Sequence, residues 1–324
     1  MTENTLEEQL VKYLTDVHSI EEQALVQLRR APGIAGNSEI ADAFSQHLAE
    51  TERQEERVRE RLESHGGSPS TVKDLAAKAG GVGMAMFAKA QPDTPGKLVA
   101  HAYSYEHMEI AAYELLRRVA ERASDPATAQ TAADIAGEER RMAGRLESLF
   151  DRAADASLHE VDPDSLGEQL RKYLADAHAI EEQAIRMLER APQITQSDEL
   201  ASIYSEHLEE TLEHERLVRE RLEAVGGATS TLKDAAMRLG ALNWGAFFAA
   251  QPDTPAKLAG FAFAFEHLEI AGYRQLQRVA DRADDQTTAR MAGTILAQER
   301  AAAEKLAAHW DIAIEASLEQ LVSA

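Results

Sequence analysis

The sequence predicts an all-α protein made of two tandem copies of one helical module. The chain matches itself when it is shifted by 160 residues, so that His47 falls on His207 and Glu109 on Glu269, and residues 8–157 align without a gap. Alanine, leucine, glutamate and arginine dominate and aromatic residues make up only 5%, which is typical of helices rather than sheets. A length of 324 residues suits two domains of about 150 residues, each large enough to bury its own core.

The repeat also predicts where the domains begin and end. We expect one domain over residues 1–157 and a second over residues 167–324. Residues 158–166 form a short polar linker between them, in which Ser165 is the expected N-cap of the next helix.

Apolar residues at helical spacing, and the breakers between them, divide each copy into four long helices. In the first copy we predict helices over residues 6–30, from Ser38 as N-cap to Gly66, over 96–123 and over 128–154. The crossover between the second and third helices is long, and we expect it to carry a short extra helix over 71–90. The second copy follows the same plan, with Pro192 where Pro32 ends the first helix. Two short loops and one long crossover are the connectivity of ferritin-like bundles, so the predicted fold is two tandem ferritin-like four-helix bundles.

Composition and charge narrow the functional classes. The absence of cysteine excludes disulfides, iron–sulfur clusters and zinc–thiolate sites, and it favours a cytoplasmic location. Residues 1–10 are polar and acidic, unlike a secretion signal, and no apolar run approaches the ~20 residues that span a bilayer. The net charge of −22 repels phosphate backbones. We therefore expect neither a nucleic-acid partner nor a membrane.

Each predicted helix of the first copy carries an acid or an imidazole on its apolar face. The apolar stripe of the first helix passes through Glu21, that of the second through His47 with Glu50 beside it, and that of the fourth through Glu139. Glu106 and Glu109 share one face of the third helix. The same residues recur 160 positions later as Glu181, His207, Glu210, Glu266, Glu269 and Glu299.

This pattern predicts a metal site in the interior of each bundle. Each residue taken alone has an ordinary explanation as a core histidine, an edge salt bridge or a solvated face. Together, however, four or five buried carboxylates would repel one another and cost several kcal/mol each without a cation. The basic residues of these helices lie mostly off the apolar stripes. Carboxylates with one or two imidazoles suit iron or manganese better than zinc or copper.

Several strings in both copies resemble a known family. The string HLEET at 207–211, and EHMEIAAY at 106–113 with its counterpart EHLEIAGY at 266–273, resemble the YciE/YciF group of ferritin-like stress proteins. The resemblance covers both halves of the chain and implies a ferritin- or rubrerythrin-type bundle, a site for two iron ions per domain and a link to stress response. Carried over position by position, the metal ligands would be Glu21, His47, Glu50, Glu106, Glu109 and Glu139, with Glu181, His207, Glu210, Glu266, Glu269 and Glu299.

The sequence departs from the usual di-iron pattern. Di-iron bundles carry Glu-x-x-His on two helices, whereas the second helix here reads His-x-x-Glu and the fourth has no histidine. The copies also differ nearby, because Gln54, Arg53 and Gly144 of the first copy correspond to His214, Glu213 and Glu304 of the second. The second copy thus has more candidate ligands, and we expect it to bind metal more tightly.

The leading functional hypothesis is an oxidoreductase in which two Fe²⁺ ions react with O₂ or H₂O₂. Glu50 or Glu109 would bridge the ions, which makes Glu50, Glu109, Glu210 and Glu269 the candidate catalytic residues. Without a cysteine-ligated electron-transfer domain, electrons would come from Fe²⁺ itself or from an external electron donor. The alternatives are a non-catalytic stress or scaffold protein with structural or decayed sites, and manganese-dependent peroxide dismutation. We expect the two copies to pair as a pseudo-dimer, with a homodimer of the chain as a further assembly.

Overall fold

The computed structural model describes residues 3–69, 94–159, 162, 165–227 and 254–323. Within these ranges the regular secondary structure is entirely helical, as predicted. The chain divides into two compact units, Met1–His159 and Glu160–Ala324, and the helices of the second repeat the order of the first.

The first unit contains five helices in its described part: α1 (Glu3–Leu28), α2 (Ser38–Ser64), α3 (Thr94–Arg122), α4 (Pro126–Ser148) and α5 (Phe150–Leu158). A turn of 3₁₀ helix, Ala31–Ile34, joins α1 to α2. The second unit contains α6 (Leu166–Ile194), α7 (Asp198–Ala224), α8 (Thr254–Arg282), α9 (Gln286–Ala307) and α10 (Trp310–Ser323).

Each long helix of a unit packs against two others. Helix α1 contacts α2 and α3, while α4 contacts α3 and α2, and α5 lies against α3. The second unit repeats these contacts among α6, α7, α8 and α9, with α10 against α8. The interior of the first unit is filled by fully buried apolar side chains such as Leu14, Phe44, Leu116 and Leu146. Because all four long helices face this interior, a polar residue on each inner face is brought to the same place.

Two helix boundaries in the first unit differ from the sequence prediction. The N-cap of α2 is Asn37 rather than Ser38, because extended Asn37 accepts hydrogen bonds through its side chain from the backbone N–H groups of Glu39 and Ile40. The predicted helix 128–154 is two helices. It begins at Pro126, capped by Asp125, and it breaks at Leu149, whose N–H bonds to the carbonyl oxygen of Leu146 in a tighter turn.

The second unit also departs from the prediction at two places. Helix α6 runs through Pro192 to Ile194, whereas α1 ends at Leu28 and Pro32 lies in the 3₁₀ turn that follows. Ser165 does stand at the N-cap position of α6, but its side chain makes no capping hydrogen bond. The predicted crossover helix over 71–90 lies outside the described residues. Among the helices that are described, none has an apolar stretch that could span a bilayer.

Candidate metal centre

The interiors of the two units together contain ten of the twelve sequence-predicted site residues, five in each unit. In the first unit α1 contributes Glu21, α2 contributes His47, α3 contributes Glu106 and Glu109, and α4 contributes Glu139. The second unit places Glu181, His207, Glu266, Glu269 and Glu299 in the same way. None of the ten is more than 6% exposed, so each polar group has lost its contact with water.

In the first unit the side chains of α2, α3 and α4 converge on one point. The Nε2 atom of His47 lies 3.2 Å from Oε2 of Glu106 and 3.6 Å from Oε2 of Glu139. With Glu109, these residues offer four donor atoms within 4.8 Å of one another. Donor atoms that share a cation at about 2.1 Å are separated by about 3–4 Å, so the group is compact enough to enclose one ion.

The second unit offers two adjoining groups of donor atoms. One consists of His207, Glu266 and Glu299, and the other of Glu181, His214 and Glu299. Nε2 of His207 lies 3.0 Å from Oε2 of Glu266, and Nδ1 of His214 lies 2.8 Å from Oε1 of Glu299. Glu299 belongs to both groups, because its Oε2 lies near His207 and its Oε1 lies near His214.

The structure does not bring Glu50 and Glu210 into these buried groups. Their side chains are 45% and 51% exposed. The Oε2 atom of Glu50 lies 3.4 Å from Nδ1 of His47, and Oε2 of Glu210 lies 3.2 Å from Nδ1 of His207. A carboxylate at this nitrogen orients the ring and turns Nε2 toward the buried acids.

Burial and mutual repulsion raise the pKa values of three buried acids of the first unit, Glu21, Glu109 and Glu139. Burial raises the pKa of Glu21 to about 8, although the hydrogen bond from Tyr113 and the charge of His47 oppose this. Burial and neighbouring carboxylates raise the pKa values of Glu109 and Glu139 well above the usual range. Burial alone would lower the pKa of His47, but the charge of Glu106 raises it to about 9.

The second unit has the same electrostatics. Burial raises the pKa of Glu266 to about 7, and burial with neighbouring acids raises the pKa values of Glu181 and Glu269 well above the usual range. Burial opposes protonation of His207, yet the charge of Glu266 raises its pKa to about 10. Without a cation these side chains must therefore take up protons.

A tyrosine from the third helix fixes one acid in each unit. The hydroxyl of Tyr113 on α3 donates a hydrogen bond to Oε1 of Glu21 on α1. Tyr273 and Glu181 repeat the bond between α8 and α6. The hydroxyl of each tyrosine therefore has a defined polar partner in the interior.

Many of the oxygen and nitrogen atoms that could bind a metal in the two interiors lack a well-aligned hydrogen bond. In the first unit these are Oε2 of Glu21, Glu106, Glu109 and Glu139. In the second they are Nε2 of His207, Nδ1 of His214, Oε2 of Glu181 and Glu266, and both carboxylate oxygens of Glu269 and Glu299. Buried polar atoms almost always have a partner, and no lysine or arginine contacts these oxygens among the described residues. The residues therefore fit one or more cations.

The units differ at one position beside the site. Gln54 of α2 donates from Nε2 to Oε1 of Glu139 at 2.5 Å and to Oε2 of Glu138 at 3.0 Å. Its counterpart His214 instead places Nδ1 among the acids and bonds through Nε2 to Oε1 of Gln298 at 3.2 Å. The other two extra candidates of the second copy stay outside, because Glu213 and Glu304 are exposed on the surface.

Comparison with known proteins places the chain in a family. A family described as "Domain of unknown function (DUF892)" matches residues 5–159 and again residues 165–319. The chain belongs to this family, in two tandem copies. It is also 29% identical over 125 residues to Protein YciF of Escherichia coli strain K12, a match that covers 37% of this chain and 75% of that protein. No solved structure matches the chain. The resemblance to the YciE/YciF group is thus confirmed.

The two DUF892 units also differ in the cavities that reach the site. A cavity of about 40 Å³ in the first unit has Glu106 and Glu109 at one end, with Gln27, His101 and Tyr105 along its wall. A cavity of about 100 Å³ in the second unit reaches His207 and Glu266 from another side. Its wall includes Ala301 and Ala302, and Glu206 and Lys305 form an ion pair of 2.5 Å beside it. Each buried site therefore has room next to it for small molecules.

A second recurring histidine lies apart from the buried groups. Nε2 of His18 bonds to Oε1 of Glu55 at 3.0 Å, and Nε of Arg59 donates to the same oxygen at 3.2 Å. His178 and Glu215 repeat the 3.0 Å bond in the second unit. Because Glu55 already has Arg59 as a cationic partner, the bond between His18 and Glu55 serves to link the first two helices of the first unit. The bond between His178 and Glu215 does the same in the second unit.

Sequence reasoning missed the partners of Gln54. The 160-residue comparison marked the Gln54/His214 difference, but it did not reveal that Glu138 accepts from both Gln54 and Arg57, the latter through Nη1 at 3.2 Å. A signal was present, because Arg57 and Glu138 change together to Leu217 and Gln298 in the second copy.

Proposed function

We propose that this DUF892 protein is a metal-binding, ferritin-like oxidoreductase that oxidises Fe²⁺ with H₂O₂ or O₂ at buried carboxylate sites. One observation carries the proposal: acids from three of the four long helices meet an imidazole from the fourth in a buried interior, and each acid has at least one oxygen without a hydrogen-bond partner. Such an arrangement is unfavourable unless cations neutralise it.

The helix contacts support a ferritin-like four-helix bundle in each unit. In the first unit the neighbours α1–α2, α2–α4, α4–α3 and α3–α1 close a ring around the acids. The second and third helices are joined by the longest connection, as in ferritin-like folds with one crossover. In such bundles the inward residues of facing helices build the metal sites.

Each site residue has a role that follows from its place. His47, Glu106, Glu109 and Glu139 would hold an ion, and Glu21, oriented by the hydroxyl of Tyr113, would add its negative charge beside them. Exposed Glu50 would orient His47 from outside rather than bridge the ions. The apolar core around these residues excludes bulk water, which strengthens every charge interaction inside.

The bound metal would supply the redox chemistry. Two ferrous ions give up one electron each, and these two electrons with two protons reduce one H₂O₂ to two molecules of water. Iron and manganese both suit this set of carboxylates and imidazoles. A part in stress response is the physiological setting that the YciE/YciF resemblance implies, with Fe²⁺ itself or an external donor as the source of electrons.

The test is metal analysis of the protein purified from its own host, followed by Fe²⁺ oxidation with H₂O₂ and with O₂. We expect bound iron or manganese, and turnover that is lost in the double variant Glu109→Ala, Glu269→Ala. The control is Glu304→Ala, an exposed acid on the same helix as Glu299, which should keep both metal and rate.

The outcomes separate the alternatives. Metal that raises the unfolding temperature without any turnover would indicate a structural or scaffold protein. Manganese in the native protein, with peroxide consumed and no Fe²⁺ oxidised, would indicate peroxide dismutation. Full metal content and full rate in the double variant would refute the site.

A further inference from the structure

Gln54 and His214 occupy the same position in the two units, beside the buried acids. Both residues lie on the second helix of their unit, two turns after the histidine that contacts the buried acids. Both are 1% exposed. Equivalent buried positions thus hold a carboxamide beside Glu139 in the first unit and an imidazole beside Glu299 in the second.

His214 is oriented as a metal ligand. Its Nε2 lies 3.2 Å from Oε1 of Gln298, an atom that can only accept, and this hydrogen bond forms in the tautomer that carries the proton on Nε2. The lone pair of Nδ1 then faces the interior, 2.8 Å from Oε1 of Glu299 and 4.0 Å from Oε1 of Glu181. Nδ1 has no well-aligned hydrogen bond. These separations match donor atoms around one cation at about 2.1 Å, and the outer hydrogen bond is the usual second partner of a metal-bound histidine.

Gln54 fills the corresponding place with an amide. Its NH₂ group is a donor and cannot coordinate a cation, and it is held between Glu139 and Glu138. Glu138 is in turn bound by Arg57. In the second unit this network is absent because the equivalents of Arg57 and Glu138 are Leu217 and Gln298. The first unit therefore has a hydrogen-bond donor to Glu139 where the second unit has an imidazole nitrogen beside Glu299.

We propose that the second unit binds two divalent cations, joined through Glu299, whereas the first unit binds only one, at His47, Glu106, Glu109 and Glu139. This inference rests on the proposed metal binding and adds its stoichiometry and the residue that sets it. Because reduction of a peroxide takes two electrons, the second unit would be the redox centre and the first a single-ion site.

The experiment is a titration of the metal-free, full-length chain with Mn²⁺, followed by equilibrium dialysis with elemental analysis and by electron paramagnetic resonance. We expect one ion in the first unit and two in the second, three in all. The resonance spectrum should contain an exchange-coupled pair beside an isolated ion. Neither readout depends on turnover.

Exchanging residues between the units gives matched variants. His214→Gln should remove one ion and the coupled signal. The triple variant Gln54→His, Arg57→Leu, Glu138→Gln gives the first unit the residues of the second, and it should add a fourth ion and a second coupled pair. His178→Gln changes a buried histidine that bonds to Glu215 and belongs to neither group around Glu299, and it should leave three ions.

The outcomes distinguish this inference from the proposed function. A wild-type chain that binds no Mn²⁺ would refute both. Four ions with two coupled pairs, unaffected by His214→Gln, would leave the proposed function intact and overturn the asymmetry. If His214→Gln does not fold, the gain or absence of a fourth ion in the triple variant still decides the question.

Discussion

The hydroxyl of Tyr113 donates a hydrogen bond to Glu21 across 92 residues of sequence, and Tyr273 makes the same bond to Glu181. Each bond ties the third helix of a unit to the first at the level of the buried acids. It also uses one oxygen of the acid and leaves the other, Oε2, facing the interior. In both units the tyrosine thus fixes the direction of the carboxylate of a buried acid.

Removing that hydroxyl should weaken the metal-free protein. Tyr113→Phe leaves Oε1 of Glu21 buried without a donor, which costs about 1–3 kcal/mol of the free energy of unfolding. Urea denaturation of the metal-free chain measures the loss. Tyr105→Phe is the control, because that hydroxyl donates to the backbone oxygen of Ile20 and not to an acid of the site. It should leave metal affinity unchanged, whereas Tyr113→Phe should lower it.

Glu210 should affect metal affinity without being counted among the ligands. Replacing it with alanine removes the outer partner of His207 Nδ1, and such changes typically weaken metal binding by about 10–100-fold. The number of bound ions at saturating Mn²⁺ should stay the same. Glu209→Ala, at the exposed neighbouring residue, should leave the affinity unchanged. Loss of an ion in Glu210→Ala would mean that Glu210 reaches the metal after all.

The stability of the metal-free protein should fall as pH rises. The folded pKa values of Glu21, Glu266 and His47 are raised to about 8, 7 and 9. The folded state therefore keeps protons that the unfolded chain releases near its ordinary values of 4.5 and 6.5. This stabilisation is complete at pH values below the pKa that each group has in the unfolded chain. It is lost as the pH rises through the pKa that the group has in the folded protein.

An acid outside the site limits the stability of the metal-free protein at low pH. Salt bridges with three arginines lower the pKa of Glu114 to about 2 despite its partial burial, so its contribution is present at neutral pH and is lost in acid. We expect maximal stability of the metal-free chain in mildly acidic solution, by denaturation at several pH values. Excess Mn²⁺ should reverse the trend above neutral pH, because metal binding displaces protons. Unchanged stability of the metal-free chain between about pH 5 and pH 9 would contradict the buried cluster.

The cavity beside His207 should be a route to the second site. Its volume of about 100 Å³ holds several water-sized molecules, and Ala302 on its wall corresponds to Met142 in the first unit. Ala302→Met should slow Mn²⁺ uptake by the metal-free chain, measured by stopped flow, without changing the final number of ions. Ala297→Met places the same side chain on an exposed position of α9 and should leave the rate unchanged. Equal rates in both variants would mean that ions enter elsewhere.

The sequence indicated much of this molecule because helical patterns repeat at short range and the chain contains its own comparison. The helical class and the tandem repeat followed from composition and from the 160-residue shift. The inward position of Glu21 or Glu139 followed from the apolar stripe in which it stands. Helix ends were less predictable. The cap at Asn37 and the break at Leu149 depend on one or two local hydrogen bonds that several neighbouring residues could have made.

What the sequence determined by itself was which side of each helix is apolar and which acids interrupt it, since this depends only on the 3.6-residue period. Only the tertiary structure decided which of those acids meet. Glu50 follows His47 by less than one turn, yet His47 is buried and Glu50 is 45% exposed, because α2 turns only one of its faces toward the interior. Likewise, the side chain of Gln54 donates to Glu138 and Glu139, which are 84 and 85 positions away in the sequence. Only the packing of α2 against α4 brings these residues together.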